Sequence, residues 1–358
     1  GNMSTSTWRS PALHGLVMCW LAFFVNHLDR MTLIYMLPFL KGIFHLSYTQ
    51  SGFIMTLFLI AYALTQFPSG GLSDRIGKKK IIVPGIFLYS ISLFMLGLAG
   101  NYEHLLVCSF LTGMGQGTYL VAATSLISDF FPKERRGTAI GLHESASGLG
   151  FLLAPLIAGS IIEVNWRIPF FAFSMIGVVI AMAFWIAVRE PERSQISLRN
   201  NTSFLSIFRR WEVTAVVLSS STIFAHFYAE TSLILLFLVR ELGMSPGFTG
   251  AIMACSQGVG IFSRPMGGHL SDRFGRKKVI LVSMLLALVS GLAISVIRHA
   301  INMAVLFAIL MVGLSASVSP MNAVLIEIMP IDQRGAGFGL VHLIRELTGA
   351  IGPTLVGL

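Results

Sequence analysis

Charged side chains set inside long apolar runs are where this chain of 358 residues keeps its chemistry. Placing each one in hydrocarbon costs roughly 2.5 to 3.5 kcal/mol on insertion scales, so each needs a reason. The first run holds Asn26, Asp29 and Arg30 at i, i+3 and i+4, one face of a helix. Such a set marks a candidate functional site inside the membrane, or an internal pair that holds itself neutral. The last run holds His342, Arg345 and Glu346 on one face, matched 198 residues earlier by Glu144, Ser147 and Gly148. Arg345 is ten residues past Gly335, ~15 Å along a helix. At that depth its paired donors can hold a substrate anion; a salt bridge with Glu346 is the competing reading. Thr222, His226 and Glu230 form a third stripe at i, i+4 and i+8, a water-lined wall in which His226 either shuttles protons near neutral pH or pairs with Glu230. Asn322 is expected to face the same interior. Arg264 stands eight residues before Asp272, ~12 Å in, and is assigned to a cytosolic gate.

No His and Cys cluster has metal spacing, no nucleophile neighbours a base, and no phosphate loop closes a strand, so nothing in the sequence supports an enzyme. No metal or organic cofactor is expected, and a proton is the expected coupling ion.

The elements that must position these residues are membrane helices. Hydrophobic residues make up 54% of the chain and charged ones 11%, far from soluble composition. Apolar runs of about 20 residues, the length needed to cross ~30 Å of hydrocarbon, occur at 14–39, 50–70, 80–99, 104–128, 138–162 and 168–188, then at 213–238, 248–270, 279–297, 302–328 and 337–358. The expected class is therefore an all-α, multi-pass membrane protein. The first run has no small-residue cleavage site and reads as a retained span. Cys19, Cys108 and Cys255 all lie in apolar runs and behave as small hydrophobes, with no disulfide expected.

A net charge of +9 invites a nucleic-acid reading, but the distribution of the charges excludes it. Of 25 Lys and Arg, Lys41, Arg167, Arg240 and Arg298 fall on one side of the spans, Arg30, Arg264 and Arg345 lie within them, and the other eighteen fall on the opposite side. That bias is the positive-inside rule; it puts the N-terminus in the cytosol of a plasma membrane, of the bacterial inner-membrane kind.

The chain is also a repeat. Gly70–Lys80, GGLSDRIGKKK, returns 198 residues later as Gly268–Lys278, GHLSDRFGRKK. The same offset carries Asp129 to Glu327, Arg136-Gly137 to Arg334-Gly335, and Gly141, Pro155 and Gly159 to Gly339, Pro353 and Gly357. Two parallel halves of six spans each form a recurring plan, with a solute site between them near the midplane. Twelve spans are expected and about eleven are accounted for, Leu358 matching Ser160 inside the fifth. The expected division is an N-terminal bundle at 1–190, a cytosolic linker at 191–212 and an incomplete C-terminal bundle at 213–358. The sequon Asn201-Thr202-Ser203 falls in that linker and should stay unmodified.

Between the second and third spans of each half the residues Gly70, Leu72, Asp74, Arg75, Gly77, Lys78 and Lys79, and Gly268, Leu270, Asp272, Arg273, Gly275, Arg276 and Lys277, fit the form G-x-L-a-D-R-x-G-R-K. In this the chain resembles the major facilitator superfamily, over essentially its whole length. Physically, Gly70 permits close helix approach, Gly77 a tight turn, and Asp74 can accept from exposed N–H groups of another helix's first turn. The resemblance implies that Asp74 caps the eleventh helix and joins Arg75, Asp129 and Arg136 in a cytosolic charge network, with Asp272 and Glu327 as a second copy. The alternative is that these turns only anchor loops to anionic lipid. The Asn26, Asp29, Arg30 stretch resembles the organic-anion and proton symporters of the superfamily and also its lysolipid carriers; in the symporters the aspartate exchanges protons and the arginine couples that to the anion. Those symporters carry an arginine and a glutamate on the fourth span where this chain has Ser109 and Gln116. On the fifth span the antiporter pattern reads Gly141, Gly150, Ala154, Pro155 and Ala158, with two glycines replaced by alanine, and helix packing is the preferred reading. The glycines of Gly113-Met-Gly-Gln-Gly117 follow no strand and carry no nucleotide reading.

The expected function is secondary active transport of a small organic anion by alternating access, by proton symport and as a monomer. The alternatives are a proton-coupled exporter of drug-like amphiphiles and a non-transporting scaffold on the same fold.

Overall fold

The computed structural model describes residues 10–190, 211–297, 299–328, 340–349 and 351. The described elements are α1 (Ser10–Ile43), α2 (Tyr48–Ile76), α3 (Lys79–Gly97), α4 (Tyr102–Gly117), α5 (Tyr119–Phe130), α6 (Lys133–Ile161), α7 (Ile168–Ala187), α8 (Trp211–Arg240), α9 (Pro246–Phe274), α10 (Arg276–Val296) and α11 (Ala300–Ile328). Residues 340–349 add a further helical stretch, and no strand occurs among the described residues. Nine of the described helical segments are long and apolar enough to cross a bilayer.

Three of the expected runs show detail that hydropathy alone does not give. The run 104–128 lies in one span-length segment, Tyr102–Phe130, that is interrupted at Thr118, after three glycines in five residues, into α4 and α5. The run 248–270 lies within α9, whose glycines and polar residues keep it out of the nine apolar spans. Of 337–358, only 340–349 and 351 lie within the described residues. The linker expected at 191–212 lies outside them up to residue 210.

Contacts divide the chain into two compact units. Unit one is Gly1–Leu33, Leu57–Gly150 and Ile161–Leu198; unit two is Ile34–Thr56, Phe151–Ser160 and Arg199–Leu358. The core of unit one gathers Tyr89, Tyr119, Phe131 and Phe184 around Cys19, Ala22 and Val25 of α1. Its closest packing comes from the glycines of α4. A Cβ on Gly113 would stand 2.1 Å from the carbonyl oxygen of Phe58, and one on Gly117 2.3 Å from that of Tyr62, so α2 and α4 touch backbone to backbone. Lipid supplies no hydrophobic drive between helices, and small residues that let backbones meet are the usual substitute. Gly113→Ala should destabilise the protein by about 1 to 3 kcal/mol, since the obstacle is backbone rather than a movable side chain. Gly71→Ala, with nothing within 4 Å of the new atom, is the control. Thermal unfolding of both variants in detergent checks this: the first should melt earlier than the parent and the second with it.

In unit two, Val213, Val217, Leu325 and Val341 form a small core. Much of α10 faces outward, with Leu281, Val282, Leu285, Leu288, Val289 and Leu292 exposed, as a surface bathed in lipid requires. Arg240 at the end of α8 donates to the carbonyl of Pro38 from Nε at 3.0 Å and Nη2 at 2.8 Å, passing over Gly42, where any side chain would collide with it.

The repeat persists in the internal geometry of each unit. Gly77 and Gly275, 198 apart, both turn with positive φ, 115° and 92°, and their amides donate to Ser73 and Ser271 at 3.0 Å in each case. A Cβ on Gly115 would meet the Gly85 carbonyl and Tyr89 amide at 2.7 and 2.6 Å; one on Gly313 would meet the Ser283 carbonyl and Ala287 amide at 2.6 and 2.9 Å. Each of these partners is again 198 residues from its counterpart.

Candidate functional site

Asn26, Asp29 and Arg30 of α1 are buried in unit one, at 2, 0 and 4% exposure. They do not form the self-neutralising pair. Arg30 Nε donates to Gln116 Oε1 of α4 at 3.2 Å, and the guanidinium carbon lies 4.2 Å from the centre of the Tyr62 ring and 5.5 Å from that of Phe58. Both rings belong to the stretch of α2 that Gly113 and Gly117 abut, so the α4 glycines set the distance of this aromatic wall, on which a cation is favoured. Gln116 stands where the resembled symporters carry a glutamate, and it meets Arg30 with a neutral acceptor. Neither carboxyl oxygen of Asp29 has a hydrogen-bond partner, and nor do Asn26 Nδ2 or Ser109 Oγ. The Tyr89 hydroxyl of α3, fully buried and also unpartnered, is close enough to Asp29 to interact with it electrostatically. Unfilled polar capacity in a low dielectric is costly, which makes this cluster a place where an ion or ligand gains most.

Unit two holds a second cluster. Arg345 is 1% exposed; its Nε donates to Ser220 Oγ of α8 and its Nη1 to Asn322 Oδ1 of α11, both at 2.8 Å. The Ser220 hydroxyl donates to the Val217 carbonyl at 3.0 Å, which turns its oxygen toward Arg345 as acceptor. The guanidinium carbon is 5.6 Å from the centre of the Phe224 ring, and Nη2 has no partner. Glu346 accepts from the Tyr228 hydroxyl at 3.3 Å and lies within electrostatic reach of Arg345, as the competing reading of a charge pair expected. His342 meets Phe224 edge to face at 6.5 Å.

Arg345 and Asn322 come together as the sequence suggested, but the residues of α8 that meet them are not those of the expected stripe. Ser220, Phe224 and Tyr228 are the residues that meet Arg345 and Glu346, again spaced i, i+4 and i+8. Thr222 and His226 are exposed, and His226 pairs with Glu230 at 3.5 Å on another face of the helix. The run Ser219-Ser220-Ser221, polar inside an apolar span, was the available signal. On α6 the expected Glu144 is exposed, and the buried polar residue beside it is His143, bonded at 3.1 Å to the Tyr119 hydroxyl.

The expected gate is described in part. Lys78 pairs with Asp129 and also donates to the Ser125 carbonyl at 3.3 Å. Their repeats, Arg276 and Glu327, pair at 2.7 Å. In both copies, then, the later basic residue of the signature makes the contact, whereas the resemblance implied Arg75. Arg75, Arg264, Asp272 and Arg273 are exposed, and Arg273 lies over the Phe274 ring at 5.4 Å. The side chain of Asp74, together with Arg136 and Arg334, lies outside the described residues. Gly70 does allow a close approach: a Cβ there would stand 2.9 Å from Val121 Cγ1. Among the described residues no group of three His, Cys, Asp or Glu is placed to hold a metal.

Repeated helical units, spans of bilayer length and charged clusters buried inside them define a multi-pass membrane transport protein rather than an enzyme. The chain belongs to the Major Facilitator Superfamily, whose profile matches residues 19–357. It is 26% identical to the hexuronate transporter of Bacillus subtilis, over 96% of this chain and 86% of that protein. It is also 26% identical to multidrug resistance protein 1 of the same bacterium, over 90% of this chain and 83% of that one. Among solved structures, a bacterial homologue of the human lysosomal transporter Spinster, in an inward-facing and unoccupied conformation, superposes with a TM-score of 0.86 at 22% identity, covering 98% of this chain and 82% of that chain. The fold is thus that of the superfamily, and its members carry small molecules across the bilayer in which they sit.

Proposed function

We propose that this protein moves a small organic anion, a carboxylate or sugar acid, in symport with a proton. The observation that carries the proposal is Arg345: a buried guanidinium held in place by two neutral acceptors, Ser220 and Asn322, with Nη2 left over. Nη2 has no partner although Glu346 lies within electrostatic reach of the guanidinium, so an arriving carboxylate completes its hydrogen bonds. Proton exchange is assigned to Asp29, the one buried carboxyl among the described residues of unit one, and Arg30 is assigned the coupling of that event to the anion. The distribution of basic residues supports a cytosolic N-terminus.

The exporter reading draws on the likeness to multidrug resistance protein 1 and on the fifth-span pattern. Gly150 of that pattern has a packing role, since a Cβ there would stand 3.0 Å from both the Phe24 carbonyl and the Leu28 amide of α1. A scaffold would have little use for a buried arginine with a donor left unpartnered.

Purified protein in proteoliposomes should take up at least one labelled acid, from a panel of hexuronates and small carboxylates, several-fold faster with an inward proton gradient than without. Movement of an amphipathic cationic dye in exchange for protons, with no acid uptake, would favour the exporter; movement of neither would favour the scaffold.

A further inference from the structure

Position 89 carries a hydroxyl that helix packing does not require. Tyr89 of α3 is 0% exposed, and its hydroxyl has no partner within the protein. Its backbone is fixed from α4: a Cβ on Gly115 would stand 2.6 Å from the Tyr89 amide nitrogen and 2.9 Å from its Cβ. The second half builds the same joint with alanine, where a Cβ on Gly313 would stand 2.9 Å from the Ala287 amide nitrogen and 3.1 Å from its Cβ. What differs between the halves is the neighbour. Asp29 corresponds at the 198-residue offset to Phe227, so the half without the carboxyl is also the half without the tyrosine.

Around Asp29 the unused groups match in number and kind. Its two carboxyl oxygens lack donors, while the Tyr89 hydroxyl, within electrostatic reach of Asp29, and Asn26 Nδ2, three residues earlier on the same face of α1, are donors without acceptors. A buried carboxyl without a donor is tolerable while it holds its proton and costly once ionised, so the ionised form needs what these two groups hold in reserve. The other charged or titratable groups around this point have partners of their own or face elsewhere. On α1, Arg30 is turned to Gln116 of α4 and to the Tyr62 ring of α2, and His27 donates from Nδ1 to the Phe23 carbonyl at 3.0 Å. Tyr119 of α5 donates to the Cys19 carbonyl at 2.5 Å and is bonded to His143 of α6 at 3.1 Å. Glu144 of α6 is exposed, and α7 has no titratable residue.

We propose that Tyr89 is a positioning residue for proton exchange at Asp29, its hydroxyl donating to the carboxylate once the proton has left. The proposal rests on the assignment of proton exchange to Asp29 and adds a second residue to it. Tyr89 keeps its own proton throughout. The proton that Asp29 gains or loses is exchanged with water on the side to which the site opens, and the phenol only turns its O–H toward the oxygen that carried it. A hydrogen bond donated to a buried carboxylate favours the charged form, so Tyr89 sets the pH at which Asp29 releases its proton.

The test needs no substrate. Infrared difference spectroscopy of the purified full chain in detergent follows the carboxylic-acid C=O stretch of Asp29, identified as the band that Asp29→Asn lacks. In the parent this band should fade as the pH rises. In Tyr89→Phe, which loses only the hydroxyl, the carboxylate has one donor fewer, the proton is held more tightly, and the midpoint should lie higher by about one pH unit. Tyr119→Phe removes a neighbouring hydroxyl that is already engaged and should leave the midpoint where it is. A midpoint unmoved in Tyr89→Phe, or moved equally in Tyr119→Phe, would overturn the proposal and leave Asp29 as the proton carrier. If no Asp29-dependent band titrates at all, the assignment of the proton to Asp29 fails and this proposal fails with it. Should Tyr89→Phe not fold, Tyr89→Leu, equally without a donor, should show the same upward shift, and an unmoved midpoint there would overturn the proposal as well.

Discussion

Asp29→Asn will leave a protein that exchanges its substrate across the membrane but no longer concentrates it. With a gradient of one pH unit, one proton per monoanion sustains an accumulation of about ten-fold, because each pH unit is worth 1.4 kcal/mol. In the variant the ratio should fall to about one, while exchange of labelled for unlabelled substrate keeps a rate within a few-fold of the parent. The structure makes this a clean substitution. Neither carboxyl oxygen accepts a hydrogen bond, so no hydrogen bond within the protein is lost, and asparagine has nearly the same shape. What changes is the ability to take up and release a proton. If the variant still accumulates substrate, the proton is carried elsewhere and Asp29 has only a structural role.

Arg345→Lys should weaken substrate binding by roughly 10- to 100-fold with the protein still folded. Lysine keeps the charge, yet a single ammonium cannot bond Ser220 and Asn322 and also present a separately oriented donor to the ligand. Losing one charge-assisted hydrogen bond in a buried site costs about 1.5 to 3 kcal/mol, which is that range of affinity. Arg345→Ala should be worse, because Ser220 and Asn322 lose their partner as well. The half-saturating concentration for exchange measures both, and a value unchanged in the lysine variant would mean that the guanidinium only braces α8 against α11.

Much of this architecture was readable before any coordinates. The 198-residue offset gave the repeat, and it holds down to glycine contacts because close helix packing leaves few ways to satisfy one geometry. The burial of Arg345, which is 1% exposed, followed from its place inside an apolar run. Its immediate partners did not. Serine and phenylalanine are ordinary residues in a membrane helix, and only the packing of α8 against Arg345 singles out Ser220 and Phe224 from their neighbours. His226 and Glu230 drew attention because they titrate, yet i, i+4 spacing lets such a pair satisfy itself on any face. The run 104–128 is one span as expected, but hydropathy summed along it is blind to the interruption at Thr118 that three glycines precede. The pairing of Arg30 with Gln116 depends on how α1 and α4 meet, and no local pattern encodes that.

The doubled ion pair has a consequence for how this molecule has drifted. Lys78 with Asp129 in one half and Arg276 with Glu327 in the other share no residue type, yet cation and anion keep their places. Between two descendants of one ancestral segment, identity has been free to wander while polarity has not. The chain thus contains its own record of which property was retained: the direction of the charge pair from turn to helix end, with chain length and headgroup negotiable. On that record Lys78→Arg or Asp129→Glu merely repeats a change already made once, whereas exchanging the two residues creates an arrangement that neither half has kept.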